Sequence, residues 1–191
     1  SKSPATDALA REFLVEPVPN ETRLRYLDWT ARNRALVEEL SGGRIGYMHV
    51  PNTAVEGHRR FYEGFRRMAR VKEAIIVDDR YNGGGFIPDR MVQSLGSRVF
   101  NFWARREAEL YATPRFAFNG PAAMLINGYS SSGGDAFPYY FKKAGLGPLI
   151  GQKTWGGLVG YSGSPRLVDG GGLAVPSFAF VNDAGAWDVE A

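Results

Sequence analysis

The chain contains 191 residues, which is the length of one domain or of one domain with part of a neighbour. Apolar residues make up 44% and charged residues 23%, so the composition predicts a soluble globular protein with a buried core and excludes a disordered chain. The net charge of +3 is too small to indicate a nucleic-acid partner, and no apolar run is long enough to cross a membrane.

The residue inventory also limits the chemistry. The absence of Cys excludes disulfides, thiol catalysis and thiolate metal sites. With two histidines, His49 and His58, a histidine metal centre is not expected, and we predict neither a metal nor a cofactor. No secretory signal pattern opens the chain, so we expect a cytoplasmic protein. The chain lacks an initiator Met and ends soon after an apolar stretch, and we therefore expect a piece of a longer protein, truncated at both ends.

Two elements are predicted in the first 43 residues. The apolar run Phe13 to Val15 predicts a short strand, which Pro17 and Pro19 separate from the next element. Residues 23–40 carry apolar side chains at three- and four-residue spacing, which is typical of an amphipathic helix, and a pair of glycines then ends it.

The rest of the chain alternates between short apolar runs and helical patterns. The predicted strands cover residues 44–50, 74–77, 124–126, 149–150 and 173–181. The predicted helices cover residues 57–71, 87–95 and 136–144. This alternation is typical of βαβ units and favours an α/β fold, with a mostly parallel central sheet and flanking helices.

A glycine loop (residues 82–85, Asn-Gly-Gly-Gly) follows the predicted strand at 74–77 and precedes a helix. Ligands of open α/β sheets bind beyond the carboxyl ends of the strands, so the loop is well placed for function. No Lys and hydroxyl follow it as in a phosphate-binding loop, and nucleotide binding is not favoured. Two interpretations stay open: a plain tight turn, or backbone amides that bind a developing oxyanion.

A serine turn (residues 129–132, Tyr-Ser-Ser-Ser) joins the predicted strand at 124–126 to the next helix. A serine between a strand and a helix has the layout of a nucleophile elbow, although the G-x-S-x-G pattern is absent. Ser132 and Asp135 also form an S-x-x-D pattern, so one alternative is that Ser132 only caps the helix. The other is that Ser132 is a nucleophile and that Gly133 offers an unobstructed amide at the helix N-terminus.

Five segments in the same order resemble the core protease domain of the tricorn peptidases, relatives of the C-terminal-processing proteases. The segments are GRIGYMHVP, AIIVDDRYNGGGF, LINGYSSSGGD, GPLIGQKTWGG and WDVE. The resemblance implies a crotonase/ClpP-like α/β fold and a peptide-hydrolysing activity. It also implies a domain division, with residues 1–19 as the tail of a PDZ-like domain and a linker, and residues 20–191 as the serine peptidase core.

The resemblance implies four site residues. Ser132 matches the family nucleophile, and Gly85 and Gly133 match the two oxyanion-hole amides. Glu190 matches the glutamate that supports the catalytic histidine of tricorn through a hydroxyl-bearing partner.

The general base is not found in this way. The position that matches the lysine of the tail-specific proteases is Gly157, and Lys153 falls four residues earlier. His49 lies inside a predicted strand and is expected to be a core or edge histidine, while His58 opens a charged helix and is expected to be exposed. The resemblance to the tricorn peptidases implies that the catalytic histidine comes from a segment outside this chain. Peptide substrates, N-terminal domains of the same protein and a homo-oligomer are the implied partners.

Two alternatives use the same architecture. A crotonase-type enzyme would bind an acyl-thioester in a similar backbone oxyanion hole and would not need Ser132. A non-catalytic module would keep the fold and bind a peptide or an apolar ligand, for which the 13% aromatic content is sufficient.

Overall fold

A computed structural model of the chain describes residues 13–86, 88–163 and 165–187. In this part of the chain the helices are α1 (Thr22–Leu40), α2 (Val55–Met68), α3 (Pro88–Gly96) and α4 (Gly133–Lys143). The strands are β1 (Ile45–His49), β2 (Ala74–Asp78), β3 (Asn101–Arg105), β4 (Ala108–Thr113), β5 (Ala122–Ile126) and β6 (Leu149–Gly151).

The central sheet has four strands in the order β1-β2-β5-β6, and all three pairings are parallel. The two central strands, β2 and β5, consist mainly of apolar residues that are buried or half-buried at every position, as is typical of the interior strands of an α/β sheet. The predicted fold class, an α/β protein with a mostly parallel central sheet and flanking helices, is confirmed. Because the strands are parallel, the loops that follow β1, β2 and β5 leave the same edge of the sheet.

The core lies between the sheet and helices α2, α3 and α4. Phe61 and Phe65 of α2 stack with their ring centroids 5.7 Å apart, and Phe61 lies edge-on to Phe137 of α4 at 6.4 Å. All three rings are almost fully buried. Phe61 and Phe65 have the i, i+4 spacing that predicted helix α2. The contact of Phe61 with Phe137 packs α2 against α4, the helix that begins directly after Ser132.

The helix predicted at residues 23–40 is present as α1, but its expected apolar face is not buried. Thr30 is the buried residue of this helix, whereas Leu24, Leu27, Leu36 and Leu40 are exposed. The glycine pair that ends the helix adopts positive φ angles of 58° and 81°, as a helix-terminating turn requires.

Two further predictions differ from the structure, and one hairpin in the structure was not predicted. Residues 13–18 form no strand, and the apolar run Phe13 to Val15 is exposed. The strand predicted at 173–181 is replaced by isolated bridges, such as Gly160 with Phe178, because this stretch finds no continuous partner strand among the described residues. The antiparallel hairpin of β3 and β4 was not predicted; β3 is exposed along its whole length and therefore lacks the apolar alternation of a half-buried strand.

Within the described residues, no helix combines the length and the apolar character needed to cross a bilayer.

Candidate active site

Three loops meet at the carboxyl edge of the sheet. Residues 50–54 follow β1, the glycine loop follows β2, and the serine turn follows β5. Val50 donates its amide to the Asp78 carbonyl, and Asp79 donates its amide to the Leu125 carbonyl, so the ladder continues for one residue past each strand. Backbone hydrogen bonds alone therefore fix the positions of the loops relative to one another.

The glycine loop and the serine turn touch through backbone atoms. A Cβ added to Gly84 would lie 2.8 Å from both the Ser131 carbonyl oxygen and the Ser132 Cβ. A Cβ added to Gly133 would lie 2.5 Å from the Gly85 carbonyl oxygen and 2.7 Å from the Gly85 nitrogen. Side chains at these positions would force the two loops apart, so glycine is required for the close approach.

Ser132 has the backbone of a strained turn. It occupies the N-cap position of α4 with φ 56° and ψ −114°, a conformation that a residue with a side chain seldom adopts. Its side chain makes no capping hydrogen bond and it is exposed. The interpretation of Ser132 as a capping residue is therefore wrong, and the strain presents its hydroxyl to solvent at the start of a helix.

Two backbone amides beside Ser132 are left without acceptors. Within residues 13–86, 88–163 and 165–187, the amides of Gly85 and Gly133 donate no hydrogen bond. Gly133 is the first residue of α4, where amides lack intrahelical partners and the helix dipole favours negative charge. A hydroxyl and two unpaired amides at adjoining backbone positions can bind an oxyanion that forms on attack by the hydroxyl.

Thr53 forms the third side of the site. Its amide donates to the Gly84 carbonyl at 2.8 Å, which ties the loop after β1 to the glycine loop. Its buried hydroxyl oxygen, which finds no hydrogen-bond partner among the described residues, lies 2.0 Å from where a Cβ of Gly133 would be. Thr53 therefore packs directly behind Gly133 and limits how far the start of α4 can move.

Asp135 fastens a fourth loop to the start of α4. Its two carboxylate oxygens accept the amides of Gly156 at 2.7 Å and Gly157 at 3.0 Å. Its side chain is fully buried, and the Trp155 amide adds a bond to the Ser130 carbonyl at 3.0 Å. The acid of the S-x-x-D pattern thus holds the loop that carries Lys153 rather than completing a cap.

Asp135→Asn is expected to lower the free energy of unfolding by about 2 kcal/mol, because one of the two half-buried amides would then face an NH₂ group instead of an oxygen. Urea unfolding measures the change. The matched control is Asp169→Asn, where an exposed side chain accepts one amide, from Gly171, and Asn can do the same. Equal effects of the two substitutions would contradict the role given to Asp135.

Asp79 is a buried carboxyl beneath the site. One of its oxygens accepts the Asn82 side-chain amide at 2.8 Å, and the other, Oδ2, has no partner among the described residues. Burial raises the pKa of Asp79 well above its ordinary value, and the nearby charges of Asp78 and Asp135 act in the same direction. Asp79 therefore holds its proton more tightly in the folded protein than in the unfolded chain.

A carboxyl pKa that is higher in the folded than in the unfolded chain stabilises the fold fully below the unfolded pKa, near 4, and this stabilisation is lost as the pH rises through the folded pKa. Asp79→Asn removes the titration and keeps an oxygen for Asn82. We expect the stability of this variant relative to the wild type to rise between pH 4 and pH 8, measured by urea unfolding across that range. A difference that stays constant with pH would refute the raised pKa of Asp79.

The two histidines have different surroundings. His49 is buried in β1, where its Nδ1 pairs with the Tyr26 hydroxyl and its Nε2 with the Arg80 carbonyl, both at 2.8 Å. Burial lowers the pKa of His49. The expectation of a core histidine is confirmed. The expectation that His58 is exposed is wrong: it is half-buried, edge-on to the Tyr62 ring, and its buried Nε2 has no partner among the described residues.

Three of the other predicted site residues lie close together, and the remaining two do not join them among the described residues. Gly85, Ser132 and Gly133 lie together, while Lys153 is exposed on the loop that Asp135 holds. Glu190 lies outside the described residues. In the described ranges, no three His, Asp or Glu side chains cluster as a metal site would require.

Sequence reasoning missed Thr53, Asp79 and Asn82, all of which are fully buried. The available signal was their position: each is a polar residue one to four places after a buried parallel strand. Polar residues there point into the shared edge of the sheet, where partners come from other loops.

The chain matches the family model of peptidase family S41 over residues 44–191. Among curated proteins, it is 39% identical to the putative tricorn protease homolog 2 of Streptomyces coelicolor, covering 95% of this chain and 15% of that protein. It is 38% identical to the tricorn protease of Thermoplasma acidophilum, covering 92% of this chain and 16% of that protein. The chain thus spans less than a fifth of these relatives.

Solved structures agree with this assignment. The crystal structure of the tricorn protease superposes with a TM-score of 0.83 at 38% identity, over 92% of this chain and 17% of that one. The photosystem II D1 C-terminal processing protease shares the fold, with a TM-score of 0.54 at 19% identity over 77% of this chain and 40% of that one. Together with the family match over most of its length, this similarity shows that the chain belongs to peptidase family S41.

Proposed function

We propose that this chain is the catalytic core of a tricorn-type serine peptidase that hydrolyses peptides. The observation that carries the proposal is the exposed, strained Ser132 directly beside two glycine amides that lack acceptors among the described residues. A peptidase needs a nucleophile and a preorganised group of donors for the oxyanion, and these residues supply both.

In the proposed reaction, the Ser132 Oγ attacks the peptide carbonyl carbon while a general base removes the hydroxyl proton. The carbonyl oxygen becomes an oxyanion and accepts the amides of Gly85 and Gly133. When the tetrahedral intermediate collapses, the C–N bond breaks, the base returns its proton to the leaving amine, and an acyl-enzyme remains. Water, activated by the same base, then releases the acid and restores the Ser132 hydroxyl.

The base is proposed to be a histidine from a segment outside this chain. In support, both ring nitrogens of His49 are engaged elsewhere, and the His58 ring packs on Tyr62. Glu190 is proposed to support that histidine through a hydroxyl-bearing partner. The proposed partners are peptide substrates, N-terminal parts of the same protein and further copies of the protein, and the proposed location is the cytoplasm.

The two alternatives account for less of the geometry. A crotonase-like acyl-thioester enzyme would use the two amides but gives no reason for a strained serine beside them. A non-catalytic peptide-binding module would need neither the strain nor the unpaired amides. Binding of a coenzyme A thioester, measured by calorimetry, would favour the first of these alternatives.

Peptide hydrolysis by the 191-residue chain is expected to be nearly undetectable, because a serine without a base is a poor nucleophile. The full-length protein that contains the chain is expected to hydrolyse the same peptides and to react with a fluorophosphonate at Ser132. Rapid turnover by the chain alone would contradict the proposed source of the base. Failure of the full-length protein to label would favour the non-catalytic alternative.

A further inference from the structure

Asn82 links the glycine loop to the serine turn through hydrogen bonds in three directions. Its side-chain oxygen accepts the Gly84 amide at 2.8 Å, and its backbone carbonyl accepts the Ser131 amide at 2.9 Å. Its side-chain NH₂ donates to Asp79 at 2.8 Å. The residue is fully buried, so water does not compete for these bonds.

The bond to Gly84 determines which amide of the loop stays available. A side-chain oxygen that accepts the amide two residues later closes a turn and fixes the intervening peptide groups. The Gly84 amide is thereby turned onto Asn82, whereas the next amide, that of Gly85, is left without an acceptor among the described residues. Without this turn, both glycines would have a wide range of backbone conformations in place of the observed φ angles of 85° and 142°.

The bond to Ser131 sets the distance between the two halves of the site. Ser131 immediately precedes Ser132, so the carbonyl of Asn82 holds the serine turn against the glycine loop. On the other side, a Cβ at Gly134 would lie 2.7 Å from the same carbonyl oxygen and 3.0 Å from the Asn82 Cβ. Asn82 is therefore enclosed by the residues on both sides of Ser132 and Gly133.

The Asp79 side chain fixes the orientation of the Asn82 amide. Its Oδ1 accepts the NH₂ group, which leaves the Asn82 oxygen facing Gly84. The alanine substitution at position 82 would remove both bonds of this relay and leave the Gly84 amide free to turn.

We propose that Asn82 is a positioning residue for the oxyanion hole, which aligns the Gly85 amide with Ser132 and Gly133 by holding Gly84 and Ser131. This inference rests on the proposed peptidase function, because alignment of the amides matters only if an oxyanion forms there. Displacement of a catalytic group by about 1 Å can cost roughly 100-fold in rate, so a loosened loop would act on the transition state and not on substrate binding.

The test compares wild type, Asn82→Ser and Asn82→Ala in the full-length protein, with thermal unfolding to select folded samples. Asn82→Ala is expected to lower kcat by about 100-fold with KM within about 2-fold. Affinity for a peptide aldehyde, which forms a tetrahedral adduct with the serine, should fall with kcat, whereas affinity for a product peptide should not. The serine in Asn82→Ser can still accept the Gly84 amide, although less well, so its kcat and its aldehyde affinity should lie between those of the wild type and of Asn82→Ala.

The matched control is Asn119→Ala, which removes a side-chain oxygen that accepts one loop amide, from Val99, on an exposed residue. Its kcat and aldehyde affinity should be those of the wild type. Ser132-dependent turnover in the wild type together with unchanged kcat in a folded Asn82→Ser or Asn82→Ala variant would overturn the inference and leave the proposed function standing. Absence of Ser132-dependent turnover in the wild type would overturn both. If Asn82→Ala does not fold, Asn82→Ser alone decides by the same two measurements.

Discussion

Ser132→Ala in the full-length protein is expected to abolish peptide hydrolysis and leave the fold intact. Removal of a serine nucleophile lowers kcat by about 10⁶-fold in a serine protease. The Ser132 hydroxyl makes no hydrogen bond among the described residues, so its loss breaks no contact, and Ala tolerates the backbone angles no worse than Ser does. The expected change in the free energy of unfolding is within about 0.5 kcal/mol.

Turnover of a fluorogenic peptide and urea unfolding measure the two parts of this expectation. The control is Ser97→Ala, which removes a hydroxyl with no hydrogen bond among the described residues and lies after α3, away from the serine turn. Its turnover should equal that of the wild type. Normal turnover by the Ser132 variant would show that the nucleophile has been assigned wrongly, and a large loss of stability would show that the hydroxyl has a structural role.

Gly133→Ala is expected to lower kcat by about 10²–10³-fold, the usual effect of losing one oxyanion-hole donor. The added methyl would lie 2.0 Å from the Thr53 hydroxyl oxygen and 2.7 Å from the Gly85 nitrogen. Thr53 is held by a backbone hydrogen bond, and Gly85 packs closely against the backbone of Thr53. The start of α4 must therefore move instead. That movement separates the Gly133 amide from the Gly85 amide.

The control for this substitution is Gly172→Ala, where an added Cβ meets no atom within 4 Å and the backbone needs no positive φ. It should leave both kcat and the free energy of unfolding unchanged. Peptide turnover and urea unfolding again give the two quantities. If Gly133→Ala keeps the kcat of the wild type, the amide of Gly133 does not contribute to catalysis, whatever the effect on stability.

The parallel sheet could be predicted because its strands are short and apolar, and no residue of the central strands β2 and β5 is fully exposed. The run Ala74 to Val77, for example, has no polar residue and can only be an interior element. Parallel strands send their loops to one edge, which made a contact between the glycine loop and the serine turn an expectation. Gly85 and Gly133 were identified by the resemblance to the tricorn peptidases, and the need for glycine at Gly84 became visible only in the structure, where the two backbones touch.

Features whose partners come from elsewhere in the chain could not be predicted in this way. The leucines of α1 follow a helical spacing, but no described element covers them, and periodicity cannot say whether a partner exists. The hairpin of β3 and β4 is exposed and has no apolar alternation to reveal it. Asn82 and Asp135 act through bonds to distant backbone amides, which leave no pattern in the neighbouring sequence.

The order in which the three loops occur along the chain has a consequence for biosynthesis. The loop after β1, the glycine loop and the serine turn are contributed in succession, and β5 must pair with β2 before Ser132 can reach Gly84. The contact between the glycine loop and the serine turn can therefore form only after synthesis has passed residue 132, so a shorter nascent polypeptide holds the glycine loop without its partner.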